Sequence, residues 1–494
     1  MIKSKLPGSH HPDPKLQLPW NIAQVGTLIL PLMPALGAVS LGLALLIVWA
    51  FKYRIIIRRP RNWGFGIFSL LLIISTALAY DKTSALGGIF NFLPFILLFC
   101  AFDVLIQTPL QLRHLAWILV VTSIPVAIIG WGQMFLNWVT PGIWQNIFGW
   151  NLVLGGNPVG RMASVFMYAN ILAGYLVIIF ILACGLWLEQ WERGRRGMRE
   201  TRETRETGGT RETGGTRETG GTRETRETGG TREKEKEIFF APPTSYSLLP
   251  TPYSLLPTPY SLPLLTVAVI LNFTALILTN SRNAWAIAIF ACIAYAIYQG
   301  WRIIMAGVAT ITTSVILAAF APAPIAQFFR KIIPSFFWAR LNDQMYPDRP
   351  VALMRKTQWE FAWSLTQQRP WTGWGLRNFT PLYQEQMHVW LGHPHNFFLM
   401  LSAETGIPNT LLFMGLIVWI LFAGLRLLQK SNSLSKEDKL IFFSYLLVIV
   451  AWVLFNTADV SLFDFRLNIL SWLLLGAVSG IISRYNHLDK FIDP

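Results

Sequence analysis

The residues from 393 to 407 read His-Pro-His-Asn-Phe-Phe-Leu-Met-Leu-Ser-Ala-Glu-Thr-Gly-Ile and put two imidazoles, an amide and a carboxylate just before a long apolar stretch. An imidazole titrates near neutrality and can take a proton from a hydroxyl. His395, adjoining Asn396, is the candidate base, and His393 either orients it or flanks it. Asn396 and Glu404 stand eight residues apart, roughly two helical turns on one face. Glu404 is placed either to orient His395 or to hold the fold around it. Four arginines complete the set. Arg282 sits in Leu-Thr-Asn-Ser-Arg-Asn-Ala-Trp, a tight hairpin between two apolar runs. Arg161 precedes Asn170 beside another apolar run. Arg355 lies four residues before Trp359, on the same helix face. Arg377 follows the Gly373 and Gly375 turn. Guanidinium groups bind phosphate oxygens without a metal. Taken singly, each has a bland reading: an interfacial histidine, a snorkelling arginine, an amide at a helix start.

What positions these groups is membrane. The chain has 494 residues, 53% of them hydrophobic. Apolar runs long enough to cross about 30 Å of hydrocarbon recur. They lie near 23–50, 63–80, 84–102, 115–136, 167–188, 262–279, 284–300, 303–321, 409–428, 440–457 and 467–483. The expected fold class is all-α: a polytopic integral membrane protein with about eleven transmembrane helices, ten to twelve, and a large external helical loop. The first run contains Pro31 and Pro34 and is either one kinked helix or two short ones. It is long and lacks a small-residue cleavage site, so no cleavable leader is expected. Cys100, Cys184 and Cys292 fall inside runs and read as buried apolar thiols, with no disulfide framework.

Lys and Arg in short loops set the orientation. Residues 52–61, 193–199 and 426–439 carry basic clusters, and alternating the runs puts all three on one side, read as cytoplasmic. Loop 322–408 is then external, with a net charge of +3 that suits an anionic ligand such as a phosphate ester. The tail also comes out external if the first run crosses once; Lys3, Lys5 and Lys15 argue against that.

Residues 201–233 repeat Thr-Arg-Glu seven times between Gly-Gly steps, and a second repeat, Pro-Thr-Pro-Tyr-Ser-Leu-Leu, follows across roughly 241–263. The first tract is polar and neutral and is expected to be a disordered cytoplasmic linker, with Gly-Gly interrupting any Arg/Glu helicity. The expected division is 1–189 N-terminal membrane helices, 190–261 insert, 262–321 central helices, 322–408 external loop and 409–494 C-terminal helices.

Together the motifs resemble the O-antigen ligase/polymerase superfamily of bacterial membrane glycosyltransferases. The densest part supplies Arg355, Trp359, Pro370, Gly373, Gly375, Phe379, His395, Asn396, Glu404 and Gly406, and the Ser281–Arg282 hairpin and the Arg161–Asn170 segment match two further motifs. The first half, including Asn91-Phe-Leu-Pro-Phe95 and Gln111-Leu-Arg113, looks like a cyanobacterial branch that includes proteins described as inorganic-carbon transporters. Asn409 departs from the pattern, standing where a second Gly is usual; at a helix start an Asn is acceptable and little consequence is expected. The resemblance implies a glycosyltransferase C-like fold. It implies transfer of a glycan from undecaprenyl diphosphate to an acceptor hydroxyl on a glycan, lipid or protein, at the outer face of the inner membrane, with 322–408 as the periplasmic catalytic loop. His395 would be the base, with Arg282 and Arg355 on the diphosphate. Arg161, Arg377, Asn396 and Glu404 would bind or support substrate. No cofactor, metal or nucleic-acid partner is expected. The alternatives are a bicarbonate transporter and an accessory membrane protein, but charged residues within the runs are scarce, whereas transport needs polar groups at the midplane.

Overall fold

The computed structural model describes residues 10–208, 258–341 and 350–492. It is all-helical; among the described residues the one β-type contact is an isolated bridge between Gly156 and Arg161. The first half comprises α1 (Gln17–Ile29), α2 (Pro34–Ile56), α3 (Pro60–Ala77), α4 (Lys82–Ile89), α5 (Leu93–Leu105), α6 (Pro109–Phe135), α7 (Gly142–Phe148) and α8 (Ala169–Gly208). The second comprises α9 (Thr258–Leu278), α10 (Arg282–Gln299), α11 (Arg302–Phe320), α12 (Ala323–Ile332), α13 (Ser335–Leu341), α14 (Arg355–Gln368), α15 (Phe379–Met387), α16 (Phe397–Thr405), α17 (Ile407–Lys430), α18 (Lys436–Asn456) and α19 (Phe465–Ile492). Nine spans among the described residues are long and apolar enough to cross a membrane, with α4 and α5 counted as one. The chain is a multi-pass membrane protein.

Local chemistry sets the helix ends. Pro34, Pro60 and Pro109 open α2, α3 and α6, where the missing N–H costs nothing. Thr108 and Gln111 form a capping box on α6. The first apolar run is two helices, α1 and α2, because the chain turns before Pro34 and restarts there. The run at 84–102 is likewise interrupted between α4 and α5. Beyond the fifth run α8 continues through residue 208. Residues 201–208, expected to be disordered, are therefore helical, since Arg and Glu are good helix formers. The remaining Thr-Arg-Glu triplets and the second repeat as far as residue 257 lie outside the described residues; the last copy of the second repeat, from Thr258, opens α9.

The bundle has two distinct ends. At one, His11 Nε2 meets Leu105 O at 2.8 Å, Lys52 pairs with Asp13 at 2.5 Å, and Arg59 pairs with Asp103. Arg113 pairs there with Glu189 at 2.7 Å and Asp438 at 3.1 Å. This basic end contains His11, so α1 and α2 form a hairpin that leaves the N-terminal segment on the same end as Lys52 and Arg59. Lys15 lies on this end, and Lys3 and Lys5 lie outside the described residues. At the other end, α14, α15 and α16 build a small apolar core of their own from Phe361, Leu365, Phe379, Tyr383 and Ala403. This cap docks on the end of α3: Tyr80 N–H donates to Trp374 O at 2.9 Å, and Ser75 Oγ donates to Glu404 O at 2.9 Å. An aromatic ladder of Phe68, Phe413, Trp472, Phe65 and Phe99 ties α3, α5, α17 and α19 beneath it.

Candidate functional site

Four segments meet at the capped end. Met162 N–H donates to Leu278 O at 2.9 Å, joining the loop before α8 to the α9–α10 hairpin. Asn280 Nδ2 donates to Gly160 O at 2.8 Å across the same junction. Asn283 Nδ2 donates to Phe455 O at 2.9 Å, tying the first turn of α10 to the end of α18. Thus Arg161, Arg282 and the 457–464 turn are drawn to one place, and residues 393–396 arrive from the cap.

His395 occupies an unusual backbone position, with φ of 51°. A non-glycine residue in this region is uncommon and strained, and such strain is held in place by its surroundings. Here the holders are visible. Trp359 Nε1 donates to Pro394 O at 3.0 Å, and the His395 N–H donates to His393 Nδ1 at 3.2 Å. Asn396 Oδ1 accepts from the N–H groups of Phe398 and Leu399 and so caps α16. Asn396, expected to bind substrate, has its carbonyl oxygen committed to that cap.

The imidazole of His395 meets a carboxylate that sequence reasoning missed. His395 Nδ1 lies 3.4 Å from Asp459 Oδ1, in the turn between α18 and α19. Asp459 Oδ2 accepts from Asn170 Nδ2 at 2.7 Å, and Asn170 Oδ1 accepts from Arg161. Val460 N–H donates to Asp459 Oδ1 at 2.9 Å. Burial alone would push the Asp459 carboxyl up; the hydrogen bond and charge of His395, with His393 and the Val460 N–H, outweigh it and hold the carboxyl at about 2. An ionised partner favours the tautomer with the proton on Nδ1 and the lone pair on Nε2 of His395.

His393 differs. Its ring stacks on Phe463 at 5.7 Å and meets His395 edge-on at 4.6 Å. Burial, reinforced by the neighbouring charges of His395 and Arg355, pushes its pKa down to about 4. At neutral pH it is uncharged and accepts the His395 N–H. The bond from Trp359 to Pro394 O places α14 beside the pair. Arg377, with φ of 61°, lays its guanidinium 5.7 Å from the Phe463 ring.

Glu404 is fully buried, and burial pushes its carboxyl up to about 8 against the backbone N–H groups of Arg377 and Phe379 that it accepts from. Among the described residues no hydrogen bond joins it to His395. Its contacts are those of a fold-holding residue. Its backbone carbonyl accepts from Gly375 N–H at 2.8 Å, which closes the glycine turn on α16. A side chain at Gly373 (φ 67°) would strike Glu404 backbone at 2.3 Å, so the turn requires glycine. Arg161 is also more committed than expected: its Nε donates to Thr279 O at 2.8 Å and a second nitrogen to Asn170. Asn409, expected to be harmless at a helix start, is not the cap; Gly406 occupies that place, and both polar side-chain atoms of Asn409 are buried without a partner.

His393, His395 and Asp459 bring two imidazoles and a carboxylate within 4.8 Å of one another. Such donors can take a divalent ion. His395 faces Asp459, which also accepts from Asn170 and the Val460 N–H.

The residues from 267 to 414 match the family model described as O-antigen ligase. This stretch runs from α9 to the start of α17 and contains Arg282, Arg355, Arg377, His395 and Glu404. No curated protein matches the chain.

Proposed function

We propose that this multi-pass protein, whose residues 267–414 form an O-antigen ligase domain, transfers a glycan from undecaprenyl diphosphate to an acceptor hydroxyl. The observation that carries the reading is the His395–Asp459 pair, held in strained backbone between arginine-bearing segments. His395 Nε2 takes the acceptor proton as the acceptor oxygen attacks the anomeric carbon. The bond from that carbon to the diphosphate oxygen breaks, and undecaprenyl diphosphate leaves as the anion. Asp459 holds the Nδ1 proton and stabilises the imidazolium that forms. Arg282 and Arg355 bind the diphosphate, and their fixed charge stabilises it as it departs. Arg161 acts through Asn170 on Asp459, and Arg377 lies at the rim with Phe463. The chemistry needs no metal, because guanidinium groups supply the positive charge.

Basic clusters collect at the end opposite the site. By the rule that cytoplasmic loops are basic, the site faces the periplasm and the protein resides in the inner membrane. Purified wild type and variants in a transfer assay test the reading. His395→Ala lowers turnover by about 10²–10⁴-fold, the range for a general base, and Arg282→Ala lowers it as well. Turnover like wild type in both variants overturns the assignment. Bicarbonate uptake into proteoliposomes without any glycan transfer would point to a transporter instead.

A further inference from the structure

The helix after the most outward-facing span carries a surface that transfer chemistry does not use. Only 11% of the α11 span is buried in the protein, against 89% of the α19 span. α12 follows α11 after a short turn, and at about 100° per residue its side chains fall into three arcs. Ala326 and Arg330 face the bundle: Ala326 is buried, Arg330 Nε donates to Ala318 O at 2.8 Å, and its guanidinium lies 4.3 Å from the Trp338 ring on α13. Gln327 and Lys331 form an exposed polar arc. Ile325, Phe328, Phe329 and Ile332 form the third arc, with Ile325 48%, Phe328 59% and Ile332 65% exposed. The next helix, α13, packs Phe336 and Phe337 on Trp285, each at 5.6 Å, one turn along α10 from Arg282.

We propose that α12 is an interfacial helix, seated in the headgroup–acyl boundary of the surrounding bilayer at the site end. Its Ile325, Phe328 and Ile332 arc lies in the acyl region, and Lys331 lies at the level of the lipid phosphates. Three features select lipid as the occupant. The apolar arc continues from the outward face of α11, which meets lipid along its length. The polar arc stands opposite it, as in helices that lie in the membrane plane. Arg330 fixes the roll of the helix by bonding to the last turn of α11, so the apolar arc cannot turn inward. The seat anchors α13 against Trp285 and so sets the membrane-side lip beside Arg282.

Spin labels on cysteines introduced singly at Ile325, Gln327, Phe328, Lys331 and Ile332 test this. The background is a variant with Cys100, Cys184 and Cys292 changed to alanine, in nanodiscs of phosphatidylethanolamine and phosphatidylglycerol. Labels at Ile325, Phe328 and Ile332 should collide with dissolved oxygen more than with a water-soluble nickel chelate, and those at Gln327 and Lys331 the reverse. Nickel accessibility at all five positions, as for a helix in water, overturns the proposal. So does protection from both reagents along the apolar arc, as for a helix covered by a protein partner. The readout is independent of glycan transfer, so it stands or falls apart from the transferase reading.

Discussion

Buried carboxylates occur at both ends of this bundle, but they are answered differently. At the basic end Glu189 and Asp438 both pair with Arg113, and Asp103 pairs with Arg59. Every one of these acids meets a guanidinium directly. At the site end Asp464 also meets a guanidinium, that of Arg466 at 3.5 Å, but Asp459 meets an imidazole and an amide, and the arginine behind the amide is one residue further away. Carboxylate–guanidinium pairs hold charge still across the pH range, since arginine does not titrate. Carboxylate–imidazole pairs can move a proton. The backbone differs in the same direction: left-handed non-glycine residues gather around the site at Asn280, Arg377 and His395. One end is built to stay put, and the other carries strain and a titratable contact.

Substitutions at the two ends should therefore fail in different ways. Asp459→Asn keeps the shape of the side chain and removes its charge. It should lower turnover on the order of 10²–10⁴-fold, as when the orienting acid of a triad is neutralised, with a smaller fall in unfolding temperature than the ion-pair variant at the other end. Glu189→Gln should do the opposite. Breaking one partner of a buried ion pair costs about 3–5 kcal/mol, so the variant should melt early while each folded molecule turns over normally. Turnover and thermal unfolding measured on both proteins decide it. A stable but inactive Glu189→Gln, or an Asp459→Asn that melts as early as Glu189→Gln, breaks the contrast.

Much of this was legible in the chain. Helices followed from apolar runs, and the Arg282 hairpin followed from two runs that nearly touch. The residues from 393 to 404 announced themselves by placing polar groups beside a membrane helix. Asp459 did not, because it stands 64 residues from His395 and only folding brings them together. A signal existed: the gap between the last two apolar runs holds Asp459 and Asp464, on the same side as Arg282. The break between α4 and α5 falls at Phe90-Asn91-Phe92, between Gly88 and Pro94, but the long apolar run around these residues masked them. The role of Glu404 was also undecidable from spacing. A helix face brings it toward Asn396, but only the folded turn shows its carboxyl among backbone N–H groups.

That carboxyl sharpens the comparison with a pH dependence. Folded Glu404 keeps its proton up to about 8, whereas in the unfolded chain it is lost in the ordinary carboxylate range. Its contribution is fully present at acid pH and is lost as pH rises through about 8, because the unfolded state then binds fewer protons. Wild type should melt progressively lower between pH 5 and pH 8.5, and Glu404→Gln, which cannot ionise, should flatten that slope. Parallel curves for the two proteins would show that Glu404 is already ionised in the fold.

The smallest effect comes from two asparagines either side of α16. Asn396 Oδ1 accepts two backbone N–H groups, so Asn396→Ala should cost about 1 kcal/mol, the usual value of a lost cap. Asn409 is just as polar, 1% exposed, and neither of its side-chain polar atoms has a partner. Burying an amide without hydrogen bonds costs about 1–3 kcal/mol, and Asn409→Ala relieves that cost at the loss of a few packing contacts. It should raise stability by about 1 kcal/mol, the opposite sign from its neighbour. Chemical denaturation of the two single variants measures both. If Asn409→Ala destabilises like Asn396→Ala, the amide at 409 is hydrogen-bonded in the membrane, and the site end is less strained than its geometry indicates.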